Sequence, residues 1–364
     1  MRRSTLPIIL TMALASPAGA AMFQSVGFLP GNTSSAIGAV SGDGSTVVGS
    51  SGPQAFRWTA ATGIQNIGTM PSRSEGYDYD RVAANGVSYD GSVIVGSASL
   101  SWNGYDLSAF HWSATGGMQR IPTGMNYAYA TGVSADGNYS VGYDWFKGAF
   151  RSNFATGHED NWTVNDVSWP SASACSADGG IVVGNGSNGP AFKWTAGSAV
   201  ADALLAPAGW ATATSANGIS ANGQVIVGSA SDPSVGQFAV RWSAAGFEAL
   251  PRVNAGAAIA YACSADGSIV VGENGGATIW DPVHGGRDLA TVLVNDYGID
   301  LTGWTLTMAT SISWDGSVIA GEGVGPDSRL QAWVVTGVPE PASLGLLALV
   351  AVPLVFRRRT SRHG

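Results

Sequence analysis

Two carboxylates carry the clearest hint of chemistry in this sequence. Glu273 ends Val-Gly-Glu and Glu322 ends Ala-Gly-Glu, at equivalent places in two successive copies of a repeat. Carboxylates that meet in pairs serve as general acid and nucleophile or base in glycoside hydrolysis. A second candidate set is aromatic. Trp102 and Tyr105 in one copy, and Trp145 and Phe146 in the next, stand beside Asn103, Asp106 and Asp144. Such rings stack on sugar faces while neighbouring amides and carboxylates hydrogen-bond to hydroxyls. Other chemistries find less support. The 4 histidines, at His111, His158, His284 and His363, match no zinc spacing. Asp43, Asp90, Asp136, Asp178, Asp266 and Asp315 could suggest calcium, but each belongs to a separate turn, and a calcium ion needs six to eight converging oxygens. Asn222 holds the same place in the fifth copy, which favours a structural turn. No cofactor or metal site is expected.

These residues are positioned by a phrase, Ser-x-Asp-Gly-x-x-x-Val-Gly, that recurs with small changes at Ser41, Ser88, Ser134, Ser176, Ser220, Ser264 and Ser313. Its period of roughly 45 residues marks one supersecondary unit copied into an array. In the second copy, 84–88 reads as a strand, Tyr89-Asp90-Gly91 as a turn and 92–96 as the return strand. Asp-Gly between apolar runs is a hairpin signal, because Gly accepts positive φ and Asp bonds its own backbone. Ala109-Phe110-His111-Trp112 then forms a third strand and Met118 to Ile121 a fourth. Phe and Trp, two apart, share one face of the third strand; the residue between them, Arg57, His111, Arg151, Lys193 or Arg241, points the other way.

Four short strands in such a period make a β-propeller blade. The last copy stops after its third strand at Val335, whereas Phe23-Gln24-Ser25-Val26-Gly27 matches the fourth strand Ile64-Gln65-Asn66-Ile67-Gly68. The expected fold is therefore all-β, a seven-bladed propeller over residues 21–335 in which the N-terminal strand completes the last blade. An open β-solenoid, the rival, would leave that displaced strand unexplained. Leu289, Val292 and Leu293 have helical spacing and predict a short helix or irregular insertion before the seventh blade. Trp210 and Trp304 precede first strands and are assigned to the scaffold. Cys175 and Cys263 occupy a site filled by Val or Ile in other copies, so both read as unpaired core thiols. The net charge is -8 with no basic run in the repeats, which argues against nucleic acid as a partner.

Both ends have the composition of processing segments. Residues 1–20 combine Arg2 and Arg3, an apolar core and Ala18-Gly19-Ala20, the pattern of a secretory signal peptide. Residues 336–341 form a linker with Pro339, Glu340 and Pro341, and 342–364 an apolar helix with Arg357, Arg358 and Arg359. The apolar stretch of about 15 residues would reach about 22 Å, short of a bilayer core of roughly 30 Å.

Pro-Glu-Pro, a short apolar helix and arginines, in that order, closely resemble the PEP-CTERM sorting signal. The resemblance implies processing by an exosortase-type membrane protease, transient membrane contact through the helix, and delivery to the cell surface or extracellular matrix. A plain C-terminal membrane anchor is the alternative. Ala109-Phe110-His111-Trp112 with Gly116-Gly117-Met118 resembles the HAF-type extracellular repeat, over residues 23–335, which implies a secreted repeat protein. The Ser-x-Asp-Gly phrase is similar to the Asp-box of sialidase-like propellers without its closing aromatic, implying a structural turn away from any active site. The expectation is an exported, non-enzymatic binding or structural protein, with extracellular polysaccharide as ligand. The alternatives are a secreted propeller glycosidase or polysaccharide lyase using Glu273 and Glu322, and a coat protein that self-associates.

Overall fold

Every Ser-x-Asp-Gly phrase closes the first hairpin of an antiparallel sheet. The computed structural model describes residues 21–338, apart from 73–75, 102, 122–126, 165–168 and 188. In the first blade Ser41 Oγ donates to Asp43 Oδ1 at 2.6 Å, and that oxygen also accepts the Ser45 N–H at 2.9 Å. Ser41 Oγ in turn accepts the Thr46 N–H at 3.0 Å. Gly44 then takes a φ of 72°, which costs a residue without Cβ nothing. Asn222 performs the same task with its amide oxygen, accepting from Ser220 Oγ at 2.8 Å and from the Gln224 N–H at 3.0 Å. An acceptor oxygen, not a charge, is what the turn requires.

Seven small sheets result. Blade 1 runs Ser35–Val40, Val47–Ser51, Gln54–Thr59 and Gly63–Asn66, in that order from the axis outward. Blade 7 contains Thr305–Ile312, Ile319–Val324 and Leu330–Thr336, and its outer strand is Met22–Ser25 from the other end of the chain. Phe23 pairs with Val335 and Ser25 with Trp333, and the Val26 N–H reaches the Ala332 carbonyl at 2.9 Å. The ring is thus a seven-bladed propeller closed by the N-terminal strand. Blade 4 departs from the four-strand expectation: Thr163–Val164 adds a fifth strand, parallel to Val200–Leu204.

The turns also bond to one another around the axis. The Trp314 N–H donates to the Gly42 carbonyl at 3.0 Å, Asp43 to Tyr89 at 2.9 Å and Tyr89 to Ala135 at 3.0 Å. Ala135 to Ala177, Ala177 to Ala221, Ala221 to Ala265 and Ala265 to Trp314 complete a closed belt of main-chain bonds. The second residue of the phrase stitches each blade to the next, except in blade 1, where Gly42 accepts and Asp43, the third residue, donates.

One apolar core fills each blade boundary. Phe56 and Trp58 pack on Val318, Ala320 and Val334 of blade 7, while Val48 and Ala55, on the other face, meet Ile94 and Phe110 of blade 2. The Phe–Trp face of the third strand therefore looks back at the preceding blade. The intervening residue looks forward: Arg151 donates to the Gly179 carbonyl of blade 4 at 2.8 Å, and Arg241 to Gly267 of blade 6 at 3.4 Å. The expected helix is present at Leu289–Asn295, capped by Asp288 and burying Leu289, Val292 and Leu293. Both cysteines are free, and burial pushes each thiol up to about 12. Trp304 and Trp210 are scaffold residues, packed edge-on to Phe23 at 5.0 Å and against Phe238 at 5.3 Å. No helix among the described residues is long and apolar enough to cross a membrane. Residues 1–20 and the sorting residues Pro339, Glu340, Pro341 and Arg357 to Arg359 lie outside the described residues.

Candidate functional site

Antiparallel strands put two classes of connection on opposite faces of the ring. The Ser-x-Asp-Gly turns occupy one face. The loops between second and third strands share the other with the links that enter each new blade. That second face carries Tyr77, Trp145, Phe146, Trp169, Leu205 and Val235, each more than half exposed. Where such exposed apolar side chains gather, as Trp145 and Trp169 do at 6.2 Å, they mark a candidate interaction site rather than ordinary surface.

Its centre lies at blades 3 and 4. Asp144, fully buried, accepts the N–H groups of Phe146 and Lys147 at 2.9 and 3.1 Å and so fixes the loop after Tyr139–Asp144. Lys147 pairs with Glu159 at 2.8 Å and ties the loop to the outer strand. Trp145 and Phe146 are left projecting, 59% and 62% exposed. Trp145 lies 6.2 Å from Trp169, at 47°, and 6.4 Å from Tyr143; Phe146 lies 5.5 Å from Tyr127. Tyr143 meets Tyr129 at 5.4 Å beneath them. Trp169 has a φ of 53°, a left-handed conformation costly for a bulky residue. The chain thus holds an exposed indole in a strained backbone instead of turning with Gly.

Of the four aromatic residues expected from sequence, Trp145 and Phe146 meet in this patch. Trp102 and the side chain of Tyr105 lie outside the described residues, although the Tyr105 backbone falls within the strand Asn103–Ser113 rather than in the loop expected for it. Trp169, Tyr127 and Tyr143 were not anticipated as members. Trp169 precedes a first strand, where repeat comparison offers no motif, and only the fold brings it to Trp145.

The two glutamates lie on the same strand position of blades 6 and 7, directed toward the next blade. Glu322 accepts the Ile37 N–H of blade 1, as Asn185 accepts the Ala216 N–H of blade 5 at 2.7 Å. Burial, outweighing that bond, raises the Glu322 carboxyl above its usual range. Between them stands Tyr261, at a β-bulge shared by all first strands. Burial first, then the charge and hydrogen bonding of Glu273 and the charge of Glu322, hold its phenol well above the ordinary value. Gly38, Asn85, Thr131, Ser173, Asn217 and Thr310 occupy this bulge elsewhere. The single large aromatic among small residues was the sequence signal for it.

The aspartate turns on the opposite face spend their oxygens internally. The Ser176 hydroxyl and then the Gly180 N–H hold Asp178 below the usual carboxylate range, and Asp90 is lowered likewise by Ser92. Among the described residues no three His, Cys, Asp or Glu side chains are grouped to hold a metal ion.

No protein-family model matches the chain, and no curated protein matches it. The functional reading therefore rests on the residues and their geometry.

Proposed function

We propose that this chain is an exported cell-surface or extracellular-matrix propeller that binds extracellular polysaccharide without catalysing its breakdown. The observation that carries the reading is the Trp145–Phe146–Trp169 patch, exposed and held by a strained backbone on a rigid scaffold. Flat rings at the surface suit sugar faces, and their wet surroundings suit hydroxyls. The composition of residues 1–20 and 339–364 supports export, processing by an exosortase-type protease and transient membrane contact through the terminal helix. Purified 21–338 applied to a polysaccharide array tests it: retention is expected, with loss in Trp145→Ala and Trp169→Ala while the melting temperature holds. Retention unchanged in both variants would sink the aromatic site.

The group Tyr261–Glu273–Glu322 favours a second reading, a propeller glycosidase or lyase. A buried carboxyl whose pKa is raised, with a second carboxylate acting on the same Tyr261, suits acid and base roles. Reducing-end release from a retained glycan, abolished by Glu273→Gln with Glu322→Gln, would replace the binding reading with this one.

A further inference from the structure

Blade 3 alone puts a polar residue where the third strands of the other blades carry an apolar one. Where Trp58, Trp112, Trp194, Trp242, Trp280 and Val335 stand near the ends of third strands, blade 3 has Ser152. Its cross-strand partner is Ser140, at a place held by Val47, Ile94, Val182, Ile226, Val270 and Ile319 in the other blades. Both serines are 0% exposed, and neither hydroxyl has a hydrogen-bond partner among the described residues.

A third unpartnered polar atom, His111 Nδ1, belongs to the same boundary. His111 of blade 2 corresponds to Arg151 of blade 3, whose guanidinium lies 5.3 Å from the ring of Trp194 across the next boundary. By that equivalence His111 lies over the place that Ser152 occupies. Phe154, Ala in several other copies, turns in to meet the imidazole edge-on at 4.5 Å and returns part of the missing volume. Gln119 Nε2 donates to the Gly116 carbonyl at 3.3 Å, which directs its Oε1 to His111 Nε2 at 3.1 Å. The imidazole proton is then on Nε2, and Nδ1, buried and also unpartnered, is an acceptor. The boundary therefore presents two hydroxyl groups and one imidazole acceptor, with no protein group to join them.

We propose that the boundary between blades 2 and 3 is a built site for internal water, which donates to His111 Nδ1 and accepts from Ser140 and Ser152. Water suits the set because it donates and accepts at once in a small volume; an ammonium ion cannot accept, and a carboxylate cannot donate. Solvent here takes the place of the apolar plug used elsewhere, directly inside the blade that carries Trp145 and Phe146.

Oxygen-17 relaxation dispersion of water in solutions of purified 21–338 counts long-lived internal molecules and tests the site. The count should fall by at least one in Ser140→Val and in Ser152→Val, each checked for native circular dichroism. Ser152→Trp, which restores the residue of most other blades, should lower it too, but the smaller substitutions keep the test open if that variant misfolds. A crystal structure should show solvent within hydrogen-bond distance of at least two of the three atoms. An unchanged count in both valine variants, or serine hydroxyls turned onto main-chain carbonyls with no solvent between, would overturn the proposal.

Discussion

Phe23→Ala should weaken the entire ring, because Phe23 belongs to the blade assembled from both ends of the chain. Its ring sits 5.0 Å from Trp304 and 6.2 Å from Trp333, within the core of blades 6 and 7. Truncating a fully buried Phe costs about 3–5 kcal/mol, and Phe23 is only partly buried, so about 2 kcal/mol is expected. At about 2 °C per kcal/mol for a chain of this size, the melting temperature should fall by about 4 °C. Deleting 22–26 removes in addition the paired backbone from Met22–Ser25 to the Val26 bond. At about 1 kcal/mol for each of about four hydrogen bonds the total reaches about 6 kcal/mol. That lies within the 5–15 kcal/mol typical of a whole domain, so the truncated ring should be mostly open or unfolded at 37 °C. Thermal unfolding followed by circular dichroism and by tryptophan fluorescence, which averages over the 13 tryptophans of the ring, measures both. A synthetic peptide of residues 21–29 should restore part of the loss in the deletion. A deletion that melts within about 1 °C of the parent would refute closure as a source of stability.

Acid should test the turns. Asp178 titrates below its usual 3.8 in the folded chain, so its contribution is complete above that value and disappears as pH falls through the folded pKa. Asp178→Asn, mimicking Asn222, should leave the neutral melting temperature nearly unchanged and flatten its decline below about pH 4; identical acid slopes would count against the mechanism. Glu322 has the opposite sign. Its folded pKa lies above 4.5, so the ionised form opposes folding and stability rises as pH falls through that pKa. Glu322→Gln, which keeps an acceptor for the Ile37 N–H, should melt higher than the parent at pH 7 and equally in acid. Trp169→Gly should raise stability by about 1 kcal/mol by relieving the positive φ while abolishing polysaccharide retention; urea unfolding and the array read the two halves, and a loss of stability would remove the strain argument.

The repeat made much of the architecture legible because each blade solves the same local problem. Ser41, Asp43 and Gly44 satisfy their own turn, and the spacing of Phe56 and Trp58 declares one apolar face. Even the displaced strand at Phe23 could be matched, since a fourth strand has its own short pattern. Far less of the candidate site could be read. Trp145 and Phe146 stood out as aromatics in a variable loop, but Trp169 and Tyr261 gained meaning only beside neighbours from other blades. Ser140 and Ser152 gain meaning only as buried, unpartnered hydroxyls at the boundary with blade 2.

By itself, then, the sequence determined the unit, its number and its closure, because hydrogen bonding within a hairpin and the alternation of a strand are local in the chain. Only the tertiary structure decided what the units do together. It turned the main chain of the seven phrases into a belt, brought Glu273 and Glu322 within reach of Tyr261, and gathered Trp145 with Trp169 on one face. Those relations depend on the angle and distance between blades, which packing sets and no single repeat encodes.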